Sequence, residues 1–442
     1  MGENNIEQTE VKKSKFGEEI DDFIKHIESQ ADIVPLVMGL ISTKLIQESK
    51  HVDKYIKTNG IKEGEKDDEH KLLIPNDKFK GFLELNEKVD TTALAYRLLP
   101  LNFVVSFVSQ FDAYLGRLIR TMFEEKPDLL NSTEKSIQLS SLLEFENIDE
   151  AKDFVIEKEV EGVLRESHLK QFKWLEGKLS IPLRKDLPSF SDFIEVTERR
   201  NLFVHCNGVV SRQYIDTCRQ NKAKGLEEIA IGQKLNADPG YYQKCYSVLF
   251  EIGVKLGQVI WRKLKPDELE DADAHLNNVS YQLLVKGHFK LALNLLSFAT
   301  DTLKKHCDKE VEYIFTINKA LAHYLSDKKE EAVKILDKED WSATSDKFKL
   351  AISVLKEDYT DAIELMKSIG SSNKHLNKDA YREWPLFRAF RKTEEFKEAY
   401  KEIFGEELVY VETKPKSLED VLEELKKMKE EAKKEKTAAN KV

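Results

Sequence analysis

The sequence predicts an all-α protein, a helical bundle followed by an array of helical hairpins. Charged residues make up 34% and hydrophobic residues 41% of the 442 positions, a balance typical of amphipathic helices. Gly and Pro contribute only 18 and 10 residues, too few for a turn-rich β architecture. Apolar residues also recur at helical spacing along most of the chain. A chain of this length is expected to hold more than one domain.

The first region covers residues 1–88. Residues 1–14 are polar and expected to be loose. Ile20, Phe23 and Ile27 then recur at helical spacing, and residues 34–46 form a second apolar stretch, so two helices are predicted. Residues 59–72 combine Gly with many charges and predict an exposed loop.

Residues 89–266 are predicted to form a helical bundle, and residues 91–123 contain its longest apolar-rich helical pattern. Pro100 is expected to start or kink this helix. Within it, Gln110 and Asp112 are polar. Each is either an ordinary boundary residue or a partner that reaches Arg200.

The chemistry is predicted to lie in residues 193–214, FIEVTERRNLFVHCNGVVSRQY. Arg200 and Asn201 precede His205, with four residues between the Arg and the His. An imidazole can take a proton from a ribose 2′-hydroxyl near neutral pH, and a guanidinium can stabilise charge on a phosphate. A chain with this Arg and His content would hold about one such spacing by accident, so the context must carry the hypothesis.

The helix that carries this segment is predicted to begin near Ser189 or Ser191, either of which could cap it. Arg200 falls in the middle of an apolar stripe formed by Phe193, Val196, Phe203 and Val204. A guanidinium there needs a partner. Either Arg200 is a structural residue paired with a carboxylate such as Asp112, or it faces a subunit interface that an RNA phosphate enters.

The end of this helix is also predicted from the sequence. Gly208 can adopt a left-handed conformation, which places His205 in the last turn, where the helix dipole favours its protonated form. Ser211 can cap the next helix, which carries Arg212. Arg199 and Arg212 are further supporting candidates for the site.

Composition excludes several function classes. A net charge of −10 argues against a protein that coats nucleic acid, although residues 170–224 carry 11 Lys plus Arg against 6 Asp plus Glu. The four cysteines are scattered and expected to be reduced, and neither metal nor cofactor is predicted. We see no apolar run of membrane-spanning length and no apolar signal core, which favours a cytoplasmic protein without a membrane partner.

The RNLFVH segment, the Cys-Asn-Gly break and the helix after it resemble the HEPN superfamily of helical ribonucleases. Residues 104–120 resemble the first long HEPN helix and residues 241–264 the closing one. The resemblance covers residues 90–265, less than half of the chain. It implies a bundle of four or five helices that pairs as a homodimer, with two Arg-x4-His segments in one cleft.

In catalytic HEPN members the His is an acid or base and the Arg stabilises the phosphate, which gives metal-independent cleavage with 2′,3′-cyclic phosphate and 5′-hydroxyl ends. The resemblance assigns these roles to His205 and Arg200, and an orienting role to Asn201. Many members act in bacterial toxin–antitoxin or antiphage systems, whereas others are scaffolds that have lost the motif.

The C-terminal part is predicted to repeat. Residues 267–273 are acidic and indicate a linker. In residues 267–405 four segments each place an Ala three residues after a turn-flanking position, at Ala292, Ala332, Ala362 and Ala399. These helix pairs resemble degenerate tetratricopeptide repeats, which bind a protein, peptide or other ligand; the alternative is an irregular bundle. Residues 406–442 predict an amphipathic tail helix and a loose end.

His306, Cys307 and His323 have no fourth ligand at a suitable spacing, so ordinary packing is expected for them. The preferred hypothesis is an endoribonuclease that acts on RNA as a homodimer, with the repeats sensing an unknown partner or ligand. The alternative is a non-catalytic helical adaptor that works through its repeats. A metal-dependent hydrolase is disfavoured because no clustered His and carboxylate set is evident.

Overall fold

The all-α class is confirmed by the structure, a computed structural model. It describes residues 14–63, 71–132, 142, 144–185, 187–373 and 376–409. The predicted tail helix after residue 417 lies outside these residues. The secondary structure elements are α1 (Lys15–Asn59), β1 (Ile61–Glu63), β2 (Lys71–Leu73), α2 (Asn76–Glu125), α3 (Ile148–Leu164), α4 (His168–Leu179), α5 (Phe190–His205), α6 (Arg212–Gln220), α7 (Pro239–Leu264), α8 (Leu269–Val285), α9 (Phe289–Ser297), α10 (Lys309–Leu325), α11 (Lys329–Leu336), α12 (Asp346–Leu355), α13 (Tyr359–Ile369), α14 (Lys378–Glu383) and α15 (Glu394–Phe404).

The N-terminal region differs from the prediction of two separate helices. A single helix, α1, runs through Pro35 and forms an antiparallel hairpin with α2. β1 and β2 join the two helices, with Ile61 opposite Leu73, where a loop was expected. α2 likewise runs through Pro100, so that proline does not start the helix.

One half of this hairpin enters the core and the other does not. The buried side chains of α1 end at Val34, and those of α2, apart from Thr92, begin at Leu101. Residues 35–59 and 76–100 therefore contact mainly each other, and they expose large apolar side chains such as Leu40, Ile46 and Leu83.

By length and composition, α1 and α2 are each apolar enough to cross a membrane, which corrects the expectation that no such stretch exists. Within the most apolar window, 6% of α1 and 28% of α2 is buried. Buried helices of soluble proteins can have the same composition, so this feature does not by itself distinguish a membrane from an aqueous location.

The bundle forms where α1, α2, α3, α4, α5 and α7 pack together. α7 is its central helix, with residues such as Leu249, Ile252 and Ile260 buried on several faces. Gly253 and Gly257 let α1 and α2 approach closely, since a Cβ at Gly257 would lie 2.3 Å from Tyr114 Oη. Tyr114 Oη donates to the Gly253 carbonyl oxygen at 3.0 Å across this contact.

The C-terminal region consists of helix pairs. α8 packs on α9, α10 on α11, and α12 on α13. The four alanines named from the sequence are all buried, which places a small residue at each close helix contact: Ala292, Ala332, Ala362 and Ala399. The pairing is therefore observed, while the assignment to tetratricopeptide repeats stays a prediction.

The expected acidic linker at residues 267–273 is mostly helical, since α8 begins at Leu269. Asp273 is fully buried in it and pairs with Arg262 at 2.7 Å. One hydrophobic core runs without a break from Phe16 to Tyr400, through the bundle and the helix pairs. The charge pattern predicted a linker here. The segment is instead a packed connection between the bundle and the helix pairs.

Candidate functional site

The candidate site begins with α5, whose position follows from its ends. It starts at Phe190, close to the predicted start, but Ser189 makes no capping hydrogen bond and instead donates its hydroxyl to Glu251 Oε1 at 2.8 Å. At the other end Asn207 and Gly208 both have positive φ, and the Gly208 amide donates to the Leu202 carbonyl oxygen at 3.0 Å. A Cβ at Gly208 would lie 2.9 Å from the Leu235 carbonyl oxygen, so glycine is required there.

The apolar stripe predicted around Arg200 is buried in its first half only. Phe193 and Val196 are fully buried, whereas Phe203 is half-buried and Val204 is 47% exposed. Leu202, on another face, enters a small second core with residues of α6 and the loop after it. The last turn of α5 therefore leaves the main core and presents His205 to solvent.

Arg200 pairs with Asp112, the partner that the sequence proposed. Arg200 Nη2 lies 2.7 Å from Asp112 Oδ2, and the two side chains are 20% and 29% exposed. The other oxygen, Asp112 Oδ1, lies 2.8 Å from His168 Nε2. This contact agrees with the alternative in which Arg200 is a structural residue paired with Asp112. It also holds the guanidinium at the edge of the core.

Two members of this cluster were missed from the sequence. His168, the first residue of α4, is buried against Phe111 and Phe193. Glu198 is half-buried, and its pKa is raised because burial outweighs the opposing effects of His168, a hydrogen bond from Asn201 and Arg200. Glu198 could have been identified, since it lies two residues before Arg200 within the motif. His168 could not, since only folding brings α4 to α2.

Asn201 is half-buried next to Arg200, and its side chain lowers the pKa of Glu198 against the larger effect of burial. His205 is five residues after Arg200, which separates the two side chains by about 140° around the helix and about 7.5 Å along it. A single chain therefore does not direct both groups toward one point. Arg200 Nε is buried and has no hydrogen-bond partner among the described residues.

Arg199 belongs to a different network. It contacts Glu195 at 2.7 Å and stacks over the Tyr241 ring at 3.9 Å. Glu195 also accepts hydrogen bonds from Tyr214 at 2.8 Å and from Tyr241 at 3.2 Å. Burial lowers the pKa of Arg199, but these neighbours raise it more, so the net direction is upward. Arg199 ties α5 to α6 and α7 and does not face the Arg200 cluster.

The remaining supporting candidates are not brought to the cluster. Gln110 is half-buried and precedes Asp112 by two residues, which places it about 200° around α2. Arg212 is exposed in the first turn of α6, which Ser211 caps as predicted. No group of three or more potential metal ligands occurs among the described residues.

Comparison of the chain with protein-family models, curated proteins and solved structures found no match in any of the three. The resemblance to the HEPN superfamily therefore stays a prediction that rests on residues 193–214 and their flanking helices.

Proposed function

We propose that this protein is a metal-independent endoribonuclease of the HEPN type that works as a homodimer. The observation that carries the proposal is the RNLFVH segment on α5, with Arg200 held by Asp112 at the edge of the core and His205 exposed one turn further on. His205 takes the proton from a ribose 2′-hydroxyl. The 2′ oxygen attacks phosphorus, the bond to the 5′ oxygen breaks, and that oxygen receives a proton from a protonated His205.

The groups around Arg200 fit this chemistry. Arg200 contacts Asp112 through Nη2, and its Nε has no hydrogen-bond partner among the described residues, so donor nitrogens are left for a phosphate. Glu198 belongs to the same cluster, and burial raises its pKa.

A homodimer would account for the separation of the two groups. Arg200 and His205 point about 140° apart on one helix, so the proposal builds each site from groups of two copies. Val204 and Val209, which flank His205 along the chain, are 47% and 40% exposed. The proposal places these two side chains at the contact between the copies. The proposal also places the enzyme in the cytoplasm, as a toxin or antiphage effector controlled by its C-terminal helix pairs.

The test is cleavage of mixed cellular RNA by the purified full-length chain, followed by mapping of the cut ends. We expect 2′,3′-cyclic phosphate and 5′-hydroxyl ends in the presence of a chelator. His205→Ala should lower the rate by at least about 100-fold, as expected for the loss of a general acid or base. The matched control is His51→Ala, an exposed histidine on α1, which should cleave like the wild type. Equal cleavage by His205→Ala and wild type would refute the proposal.

A second candidate function is that of a non-catalytic adaptor, and one observation favours it. A groove of about 300 Å³ lies between the first helices of successive pairs, α8, α10 and α12, lined by Asn277, Asn318 and Phe348 among others. Asn318 donates to the Asn277 side-chain oxygen at 2.9 Å in its wall. An adaptor would keep its partner binding and show no RNA cleavage, whether or not His205 is present.

A further inference from the structure

A cleft between the bundle and the helix pairs has a volume of about 940 Å³. Its walls are the start of α5, one face of α7, the turn between α8 and α9, and the π-helix Phe298–Thr302 that follows α9. A π-helical turn is rare and is frequently found at functional sites. This volume is large enough for a nucleotide-sized ligand.

A charged pair lies at the buried side of the cleft. Glu251 and Lys255, one turn apart on α7, are only 5% and 8% exposed, and Lys255 Nζ lies 2.5 Å from Glu251 Oε1. Ser189 also donates to Glu251 Oε1, and Asn294 donates to Oε2 at 2.6 Å. Burying such a pair contributes little to stability compared with apolar residues of the same size. The pair instead gives the cleft a polar, hydrogen-bonded inner wall.

The acidic groups of the cleft are already neutralised. Asp192 pairs with Lys244 at 2.8 Å, and Asp301 pairs with Lys319 at 2.7 Å, as Glu251 does with Lys255. Each carboxylate among the described residues that line the cleft therefore has a lysine partner.

The charged side chains of the cleft that have no ion-pair partner among the described residues are lysines. Lys224 and Lys290 are exposed lining residues and have no ion-pair partner within the described part of the chain. Val248, Phe289 and Phe298 supply apolar wall beside them. Two free ammonium groups next to an apolar and aromatic surface match a molecule that carries phosphate at one end and a flat ring at the other.

We propose that this cleft binds a small phosphorylated ligand of nucleotide size, with Lys224 and Lys290 on the phosphates and the apolar wall against the base. The site is independent of the proposed ribonuclease activity, because Arg200 lies 11 residues beyond Ser189 on α5, about 16 Å along the helix. It contains none of the Arg200 cluster residues.

The test is calorimetric titration of the full-length chain with ATP, AMP, inorganic phosphate and adenosine. We expect ATP and AMP to bind, and inorganic phosphate and adenosine to bind at least about tenfold more weakly, because each supplies one half of the contacts. The double substitution Lys224→Glu and Lys290→Glu should weaken ATP binding by at least about tenfold through charge reversal.

The matched control is Lys173→Glu with Lys338→Glu, which makes the same change of charge at two exposed lysines outside the cleft. It should bind ATP like the wild type. Absence of binding by both nucleotides, equal weakening by the two double variants, or binding of a short oligoribonucleotide without binding of either nucleotide would overturn the proposal.

Discussion

Asp273 shows how one buried carboxylate organises its surroundings. It pairs with Arg262, lies 2.7 Å from His306 Nδ1 and accepts from the Cys307 amide at 2.7 Å. Burial raises the pKa of Asp273, but these contacts lower it more, so the net direction is downward. For His306, burial lowers the pKa, while Asp273 and the Ala299 carbonyl oxygen raise it more, so the net direction is upward.

These directions predict a pH dependence of stability. A raised His306 pKa contributes stability that is fully present below the unfolded-state value of about 6.5 and is lost as pH rises through the folded value. The lowered Asp273 pKa contributes stability above about 3.9 that is lost as pH falls. His306→Gln should therefore lower the unfolding midpoint, relative to wild type, more at pH 5.5 than at pH 8.5.

The measurement is thermal unfolding of both proteins at the two pH values. His51→Gln, at an exposed position, serves as the control and should show the same small difference at both. A gap between His306→Gln and wild type that grows with pH would contradict the assigned directions.

At the scale of elements, close helix packing depends on glycines in α7. Gly257→Ala would place a Cβ 2.3 Å from Tyr114 Oη and 2.6 Å from Ile20 Cγ1, so side chains of two neighbouring helices must shift. We expect this substitution to lower the free energy of unfolding by about 1–3 kcal/mol. Urea unfolding at fixed pH would measure it.

The control is Gly177→Ala, an exposed position on α4 where a Cβ would meet nothing within 4 Å. It should raise the free energy of unfolding by roughly 0.5–1 kcal/mol, because alanine loses less conformational freedom in a helix than glycine does. If Gly257→Ala proved as stable as Gly177→Ala, the α7 contacts described above would be wrong.

Helix boundaries were predictable where local chemistry fixes them. The Ser211 cap and the turn at Gly208 depend on residues within a few positions of each other. Pro100 was expected to start or kink a helix because proline lacks an amide donor. It lies inside α2, as Pro35 lies inside α1, and each helix of the α1–α2 hairpin is supported by the other.

At the scale of the whole molecule, the proposed dimer is directly measurable. Light scattering on the wild type should give twice the chain mass of 51.1 kDa. Val204→Glu introduces a charge next to His205 at the proposed interface, so we expect the mass of one chain and loss of RNA cleavage. The control Val285→Glu, at a 52% exposed position at the end of α8, should remain dimeric and active.

A monomeric wild type that still cleaves RNA would remove the reason for a composite site. A dimer unaffected by Val204→Glu would show that the interface does not include Val204. The α1–α2 hairpin would then be the next surface to test, because it exposes Leu40, Ile46 and Leu83.

The sequence by itself determined the helical class, the helix that carries Arg200 and the candidate trio Arg200, Asn201 and His205, because helical periodicity and end signals act over a few residues. Only the tertiary structure decided that Asp112 holds Arg200, that His168 completes the cluster, and that an apparent acidic linker is a buried joint around Asp273. These contacts join residues far apart in the chain, and their partners are selected by which faces are buried together. The local sequence pattern does not identify these distant partners.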